Sequence, residues 1–205
     1  MIENKQSIII DYFNIEGTPG GTQDWCTDFW MYLGGCAALA ACDLSICLSK
    51  NLGLADCCPY DPEHMTRKQY VDFSMVMKPY IHPRMGGVAK LSLFTDGYGK
   101  YLNDRGYDVT FDVCPGENSF EEAEIFVKNA LKKNLPVPFL LLRHRDKSFK
   151  DLNWHWFMIT GYDVKNERSI LKYHTYGEEQ EADFQRLWAT GMYRRGGMAA
   201  IKEIR

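Results

Sequence analysis

The stretch "CAALAACDLSICLSK", residues 36–50, constrains the fold more than any other part of the chain. It has helical length but little amphipathicity, so a helix built from it must be covered by protein on nearly every side. Asp43 and Ser45 interrupt its apolar run, which is also too short to span a bilayer. The chain therefore folds around a central helix. Two glycines, Gly34 and Gly35, precede that helix and allow a tight entry into it. A cysteine, Cys36, occupies its first turn, where a thiol can serve as nucleophile, metal ligand, disulfide half or small core residue.

A chain of 205 residues is long enough to bury a sizeable core without staples, and residues 1–205 read as one domain. A formal net charge of −3 points to neither nucleic acid nor an anionic membrane as partner. The start has a five-residue polar lead and only the short apolar run Ile8–Ile10, unlike a secretory signal, so a cytoplasmic location is expected. The 7 cysteines lie at 26, 36, 42, 47, 57, 58 and 114, an odd set that favours reduced thiols over a disulfide framework. Cys57 and Cys58 with His64 nearby lack a second pair at zinc-like spacing, so no metal and no other cofactor is expected.

Residues 7–14 read as a short strand and 15–24 as a loop rich in turn formers. Helices are expected at 66–77 and 88–103, joined by the Pro- and Gly-containing "KPYIHPRMGG". The strand "YDVTFDVCP" leads to the best-marked helix. Ser119 and Glu122 form a capping-box pattern there, Phe120, Ala123, Val127, Ala130 and Leu131 make an apolar stripe, and lysines approach its end. From Pro136 the period becomes that of strands, in "VPFLLLRH", "WHWFMITGYDV", "SILKYHTYG" and "GGMAAIKEI", with a short helix at "EADFQRLW". The class is α+β, with a helical lobe at about 20–105, an antiparallel β lobe at about 106–205, and a cleft between them as the natural place for a site.

A thiol at a helix N-terminus experiences the unpaired backbone N–H groups and the helix dipole, both of which favour the thiolate. Such a nucleophile needs an imidazole to pair with it and to protonate the leaving group. His64 and His82 fall in polar or proline-flanked loops and His144 in the charge cluster "RHRDK". His155 instead opens a strand, held between Trp154 and Trp156, at the edge of the β half. Cys26, in "QDWCTDFW", is a rival nucleophile, but Asp28 beside it opposes a thiolate.

The segments "GGCAALAACDLSICL", "KKNLPVPFLLL" and "WHWFMITGYDVKNERSILKYHTYG" resemble the papain-like cysteine peptidase superfamily, most closely its bacterial branch related to bacteriocin-leader peptidases. The resemblance covers roughly residues 20 to 205. It implies a papain-like two-lobed domain in which Cys36 is the nucleophile and His155 the general acid/base. It also exposes two departures. Where the family orients its histidine with an Asn or Asp, this chain has His174, and Asp163 is the reserve candidate. Where papain carries the glutamine of its oxyanion hole, this chain has Trp30, while Gln23 lies further upstream in the same loop region. Gln23 is the expected oxyanion donor and a Trp30 N–H the alternative; loss of one such donor costs about 2.7 to 4 kcal/mol of barrier.

The implied activity is that of a cysteine hydrolase, a peptidase or amidase working through an acyl-thioester on a peptide or small amide or thioester substrate. The sequence leaves a second reading open, in which the same fold is catalytically inactive and binds a peptide or other ligand. Trp25, Trp30, Tyr32, Trp154 and Trp156 suggest an apolar subsite near the cleft. No phosphate-binding Gly-rich loop with a following Lys and no G-x-S-x-G elbow occurs.

Overall fold

The computed structural model describes residues 7–205, and the polar lead at residues 1–5 lies outside them. Strand β1 (Ile8–Ile9) is followed by a small hairpin, β2 (Asn14–Ile15) with β3 (Thr18–Pro19). So the strand expected at 7–14 is only two residues long, and the loop after it holds the hairpin and a single 3-10 turn, Gln23–Trp25. Helices α1 (Phe29–Gly34), α2 (Cys36–Leu52), α3 (Arg67–Met77) and α4 (Leu91–Asn103) come next. The remainder is β4 (Val109–Pro115), α5 (Phe120–Leu131), β5 (Val137–Leu141), β6 (His155–Lys165), β7 (Arg168–Thr175), β8 (Glu178–Asp183), α6 (Phe184–Trp188) and β9 (Gly196–Ile204).

The strands form an antiparallel sheet in the order β4-β9-β5-β6-β7-β8, and β1 extends it by pairing with β6 beyond the end of β5. The fold is thus α+β with an antiparallel sheet, as expected. Side-chain alternation along the strands divides the interior in two. Leu140, Trp156, Met158, Ala199 and Ile201 face α2, α3 and α4, whereas Phe139, Phe157, Ile159, Met198 and Ala200 face α5 and α6. A bulge in β6 between Ile159 and Gly161 shifts that alternation and puts Tyr162 in the same core as Ile159.

Helix α2 is buried from Cys36 to Leu48. A carboxyl and a hydroxyl in such a place must find partners. The Tyr12 and Tyr70 hydroxyls donate to Asp43 at 2.7 and 2.7 Å, and Ser45 lies 2.9 Å from the Tyr98 hydroxyl. The helix stops at Gly53, which takes the left-handed φ of 71°. At the other end Gly35 has an ordinary right-handed φ of −80°, so it is required for space. A Cβ there would lie 2.4 Å from the Met31 carbonyl of α1. The expected capping box of Ser119 with Glu122 holds on α5, and a second, Thr66 with Gln69, caps α3.

The sheet edge β8 is legible only after the fact. Its sequence, "EEQEAD", is mostly charged, and its whole length pairs with Ile170–Thr175 of β7. Acidic side chains on an exposed edge discourage pairing with a second sheet. Among the described residues no helix is long and apolar enough to cross a membrane.

Candidate active site

Helix α2 and strand β6 start at the same place, and this brings Cys36 and His155 together. Both line an open cleft of about 380 Å³, along with Gln23, Leu33, Gly34, Arg84, Trp154 and Tyr176. Both also line a small inner cavity of about 30 Å³ on the other side of the pair, walled by Asp43, Thr22, His174 and Thr175. That inner space has room for about one water molecule. Cys36 is 7 % exposed and His155 8 %, so the pair sits at the floor of the cleft.

The imidazole is held from two sides. Its Nε2 lies 2.7 Å from the Thr175 hydroxyl, and its ring stacks on Tyr176 at 4.5 Å with an interplanar angle of 8°. Trp154 and Tyr176, which flank it, have φ of 58° and 53°. Bulky residues rarely adopt the left-handed region, and such conformations concentrate at functional sites. The Trp154 N–H donates to the Leu142 carbonyl at 3.1 Å, which helps hold that turn.

The hydrogen-bonding partner of His155 is therefore Thr175, one residue beyond the expected His174. The reason is the direction of the neighbouring strand side chains. His174 turns to the Thr160 hydroxyl at 3.0 Å, stacks on Tyr12 at 4.3 Å and has its Nε2 3.6 Å from Glu179. It reaches the inner cavity but not His155. Asp163, the reserve, is eight residues further along β6, about 26 Å away at strand rise, and its carboxylate accepts the Val164 N–H.

Gln23 lines both spaces beside Cys36, with its amide donating to the Tyr32 carbonyl. Trp30 is not in the site: its ring packs edge-on against Phe29, and its backbone N–H faces the Asp28 carboxylate. Of the five aromatics expected near the cleft, Trp154 lines it, joined by Tyr176. Trp156 lines the inner cavity and stacks on Phe94 at 4.6 Å. Cys26 is buried 3.9 Å from the Ser74 hydroxyl and lines neither space. Burial pushes its thiol up, as does Asp28.

The electrostatics depart from the expected thiolate. Burial raises the Cys36 thiol above its ordinary value, and the N–H groups of Trp156, Ala37 and Cys36 only partly oppose this. Burial also lowers His155, to about 4. Both shifts favour the uncharged forms, the thiol and the neutral imidazole.

Asp43 is the residue that the sequence reading passes over. On the sequence it is only an interruption of an apolar run. It is seven residues from Cys36, two turns along the same face of α2, and that spacing is the signal. Burial raises its carboxyl to about 7, although Tyr70, Tyr12 and Gly21 hydrogen-bond to it.

Elsewhere, burial pushes the thiols of Cys57 and Cys58 up to about 12 and about 11, while exposed His64 bonds to Asp61 at 2.8 Å. Among the described residues there is no group of three or more His, Cys, Asp or Glu side chains placed to hold a metal ion. No protein-family model matches this chain, and no curated protein matches it.

Proposed function

We propose that this chain is a papain-like cysteine hydrolase, acting on a peptide, amide or thioester carbonyl through an acyl-thioester. The observation that carries the reading is the meeting of Cys36 and His155 on one open cleft, the thiol at a helix N-terminus and the imidazole at a strand start. With Nε2–H donating to Thr175, the His155 Nδ1 lone pair is free to take the thiol proton as sulfur attacks the carbonyl carbon. The carbonyl electron pair moves to oxygen, where the Cys36 N–H and the Gln23 amide are the nearest candidate donors. Collapse of this tetrahedral species breaks the bond to the amine or thiol, which leaves with the proton from His155. Water then attacks the thioester, its proton passing to His155, and the acid is released with the Cys36 thiol restored.

Because Thr175 is neutral, it orients the imidazole but stabilises the imidazolium less than a carboxylate does. Substrate binding must therefore assist proton transfer, by closing the cleft or by supplying charge.

A second reading, a binding module without turnover, draws on the shifts toward uncharged forms and on a His155 partner that is Thr175 and not an Asn or Asp. Hydrolysis of a p-nitrophenyl ester separates the two. The hydrolase reading expects release of p-nitrophenol that disappears in Cys36→Ala and falls strongly in His155→Ala. Equal release by the parent and Cys36→Ala rejects it.

A further inference from the structure

Adjoining the thiol cleft is a larger groove of about 820 Å³, walled by Ala89, Lys90, Glu117, Tyr193, Arg194 and Arg195. Two connections place the spaces next to each other. Gly87 lines the cleft and Ala89 the groove, two residues apart on one segment. Trp154 of the cleft carries the guanidinium of Arg194 over its ring at 5.8 Å, and that of Arg143 at 5.8 Å.

The charge along this path is one-sided. Arg84 stands in the cleft wall, followed by Arg143, Arg194, Lys90 and Arg195, and none of these cations makes an ion pair among the described residues. Glu117 is the carboxylate in the groove wall. In a chain with 24 basic and 27 acidic side chains, a run of unpaired cations is a local excess. It is also a built feature: the Arg195 side chain is fixed by donating to the carbonyls of Met192 at 3.1 Å and Gly116 at 3.2 Å. Tyr193 stands beside it, 96 % exposed.

We infer that this groove receives an acidic polypeptide segment, drawing a neighbouring carbonyl onto Cys36. Guanidinium groups match carboxylates in a two-point geometry, and an extended chain advances about 3.3 Å per residue, so successive acidic side chains can meet successive cations. A nucleic acid fits less well. The Trp154 ring, an aromatic surface of the cleft, already carries Arg143 and Arg194, and the chain as a whole is acidic. The inference rests on the proposed hydrolase for its substrate role, but the groove itself is testable without turnover.

The test is fluorescence anisotropy on the Cys36→Ala protein, with labelled peptides that are identical except for a run of Glu or of Gln, and with a labelled single-stranded oligonucleotide. The Glu peptide is expected to bind about tenfold or more tighter than the Gln peptide and to weaken as salt rises. Arg143→Glu with Arg194→Glu should remove that preference, and the milder pair Arg143→Gln with Arg194→Gln should reduce it. Lys132→Glu, at the end of α5, should leave it unchanged; the thermal midpoint of each variant checks folding. Equal binding of the two peptides, tighter binding of the oligonucleotide, or a preference that survives both Arg pairs in folded protein would overturn the inference. If Cys36→Ala binds the Glu peptide and the parent does not cleave it, the groove stands and the hydrolase fails. If the parent cleaves Glu and Gln peptides equally well, the hydrolase stands and the groove fails.

Discussion

The side chains that matter most are pushed toward their neutral forms where a charged pair is the usual expectation for a thiol facing an imidazole. Desolvation works against both the thiolate and the imidazolium, and it outweighs the N–H groups at the start of α2. Alkylation by iodoacetamide should therefore be slow at Cys36 below pH 9 and rise only in the alkaline range. It should still map to Cys36 first, because Cys42, Cys47 and Cys57 are shut in the core while Cys36 opens to the cleft. Peptide mapping of labelled protein across pH checks this; fast labelling at pH 5 to 6 would mean that the ion pair exists. Thr175 supplies the second residue-scale prediction. Thr175→Val leaves His155 Nε2 buried without a partner, at a cost of about 1–3 kcal/mol in stability and a loss of turnover, and Thr175→Ser should recover both. Urea unfolding and ester hydrolysis measure the two effects. At this scale the sequence singled out Cys36, His155 and Gln23, and the structure places all three on one cleft. The sequence could not distinguish Thr175 from His174, because adjacent strand residues point to opposite sides and which one faces His155 depends on the register of β6 with β7.

Among the elements, α2 is the most legible, because only a buried helix suits so uniformly apolar a segment. The capping box of α5 is equally plain, being a local pattern that needs no tertiary information, whereas the sequence reading passes over the matching box of Thr66 and Gln69 on α3. Strand β8 was not legible: "EEQEAD" has no apolar alternation, and only its pairing with β7 makes it a strand. The two glycines before Cys36 read correctly as a tight entry, though for a reason that required the structure. Gly35 makes room for the Met31 carbonyl, so Gly35→Ala forces α1 away from α2. The expected cost is about 2 kcal/mol, within the usual range for overpacking, together with a displaced Cys36. Chemical denaturation gives the first quantity and loss of selective Cys36 labelling the second.

The whole molecule is a sheet with helices on both faces, and the candidate site lies where the start of α2 meets the first residue of β6. Burying polar groups at that junction makes stability depend on pH. His155 and His174 are both lowered to about 4, so between pH 6.5 and 4 the unfolded chain binds more protons and stability falls as pH drops through this window. Asp43, raised to about 7, acts in the opposite direction: between pH 4 and 7 the folded state holds the extra proton, and stability falls as pH rises. Asp43→Asn should therefore make the acid loss of the parent steeper, as read from urea midpoints between pH 4 and 8. Neither effect could be read from the sequence, since Tyr12, Asp43, Tyr70 and His174 are brought together only by the tertiary fold.

The account as a whole depends on a covalent bond at one sulfur. Intact-mass spectrometry of the protein mixed with a p-nitrophenyl acyl ester, followed by peptide mapping, tests it most directly. The account predicts a transient acyl adduct on Cys36 in the parent, no adduct at that position in Cys36→Ala, and much slower formation in His155→Ala. An adduct formed at Cys36 at the same rate without His155, or no adduct while the ester is turned over, would contradict it.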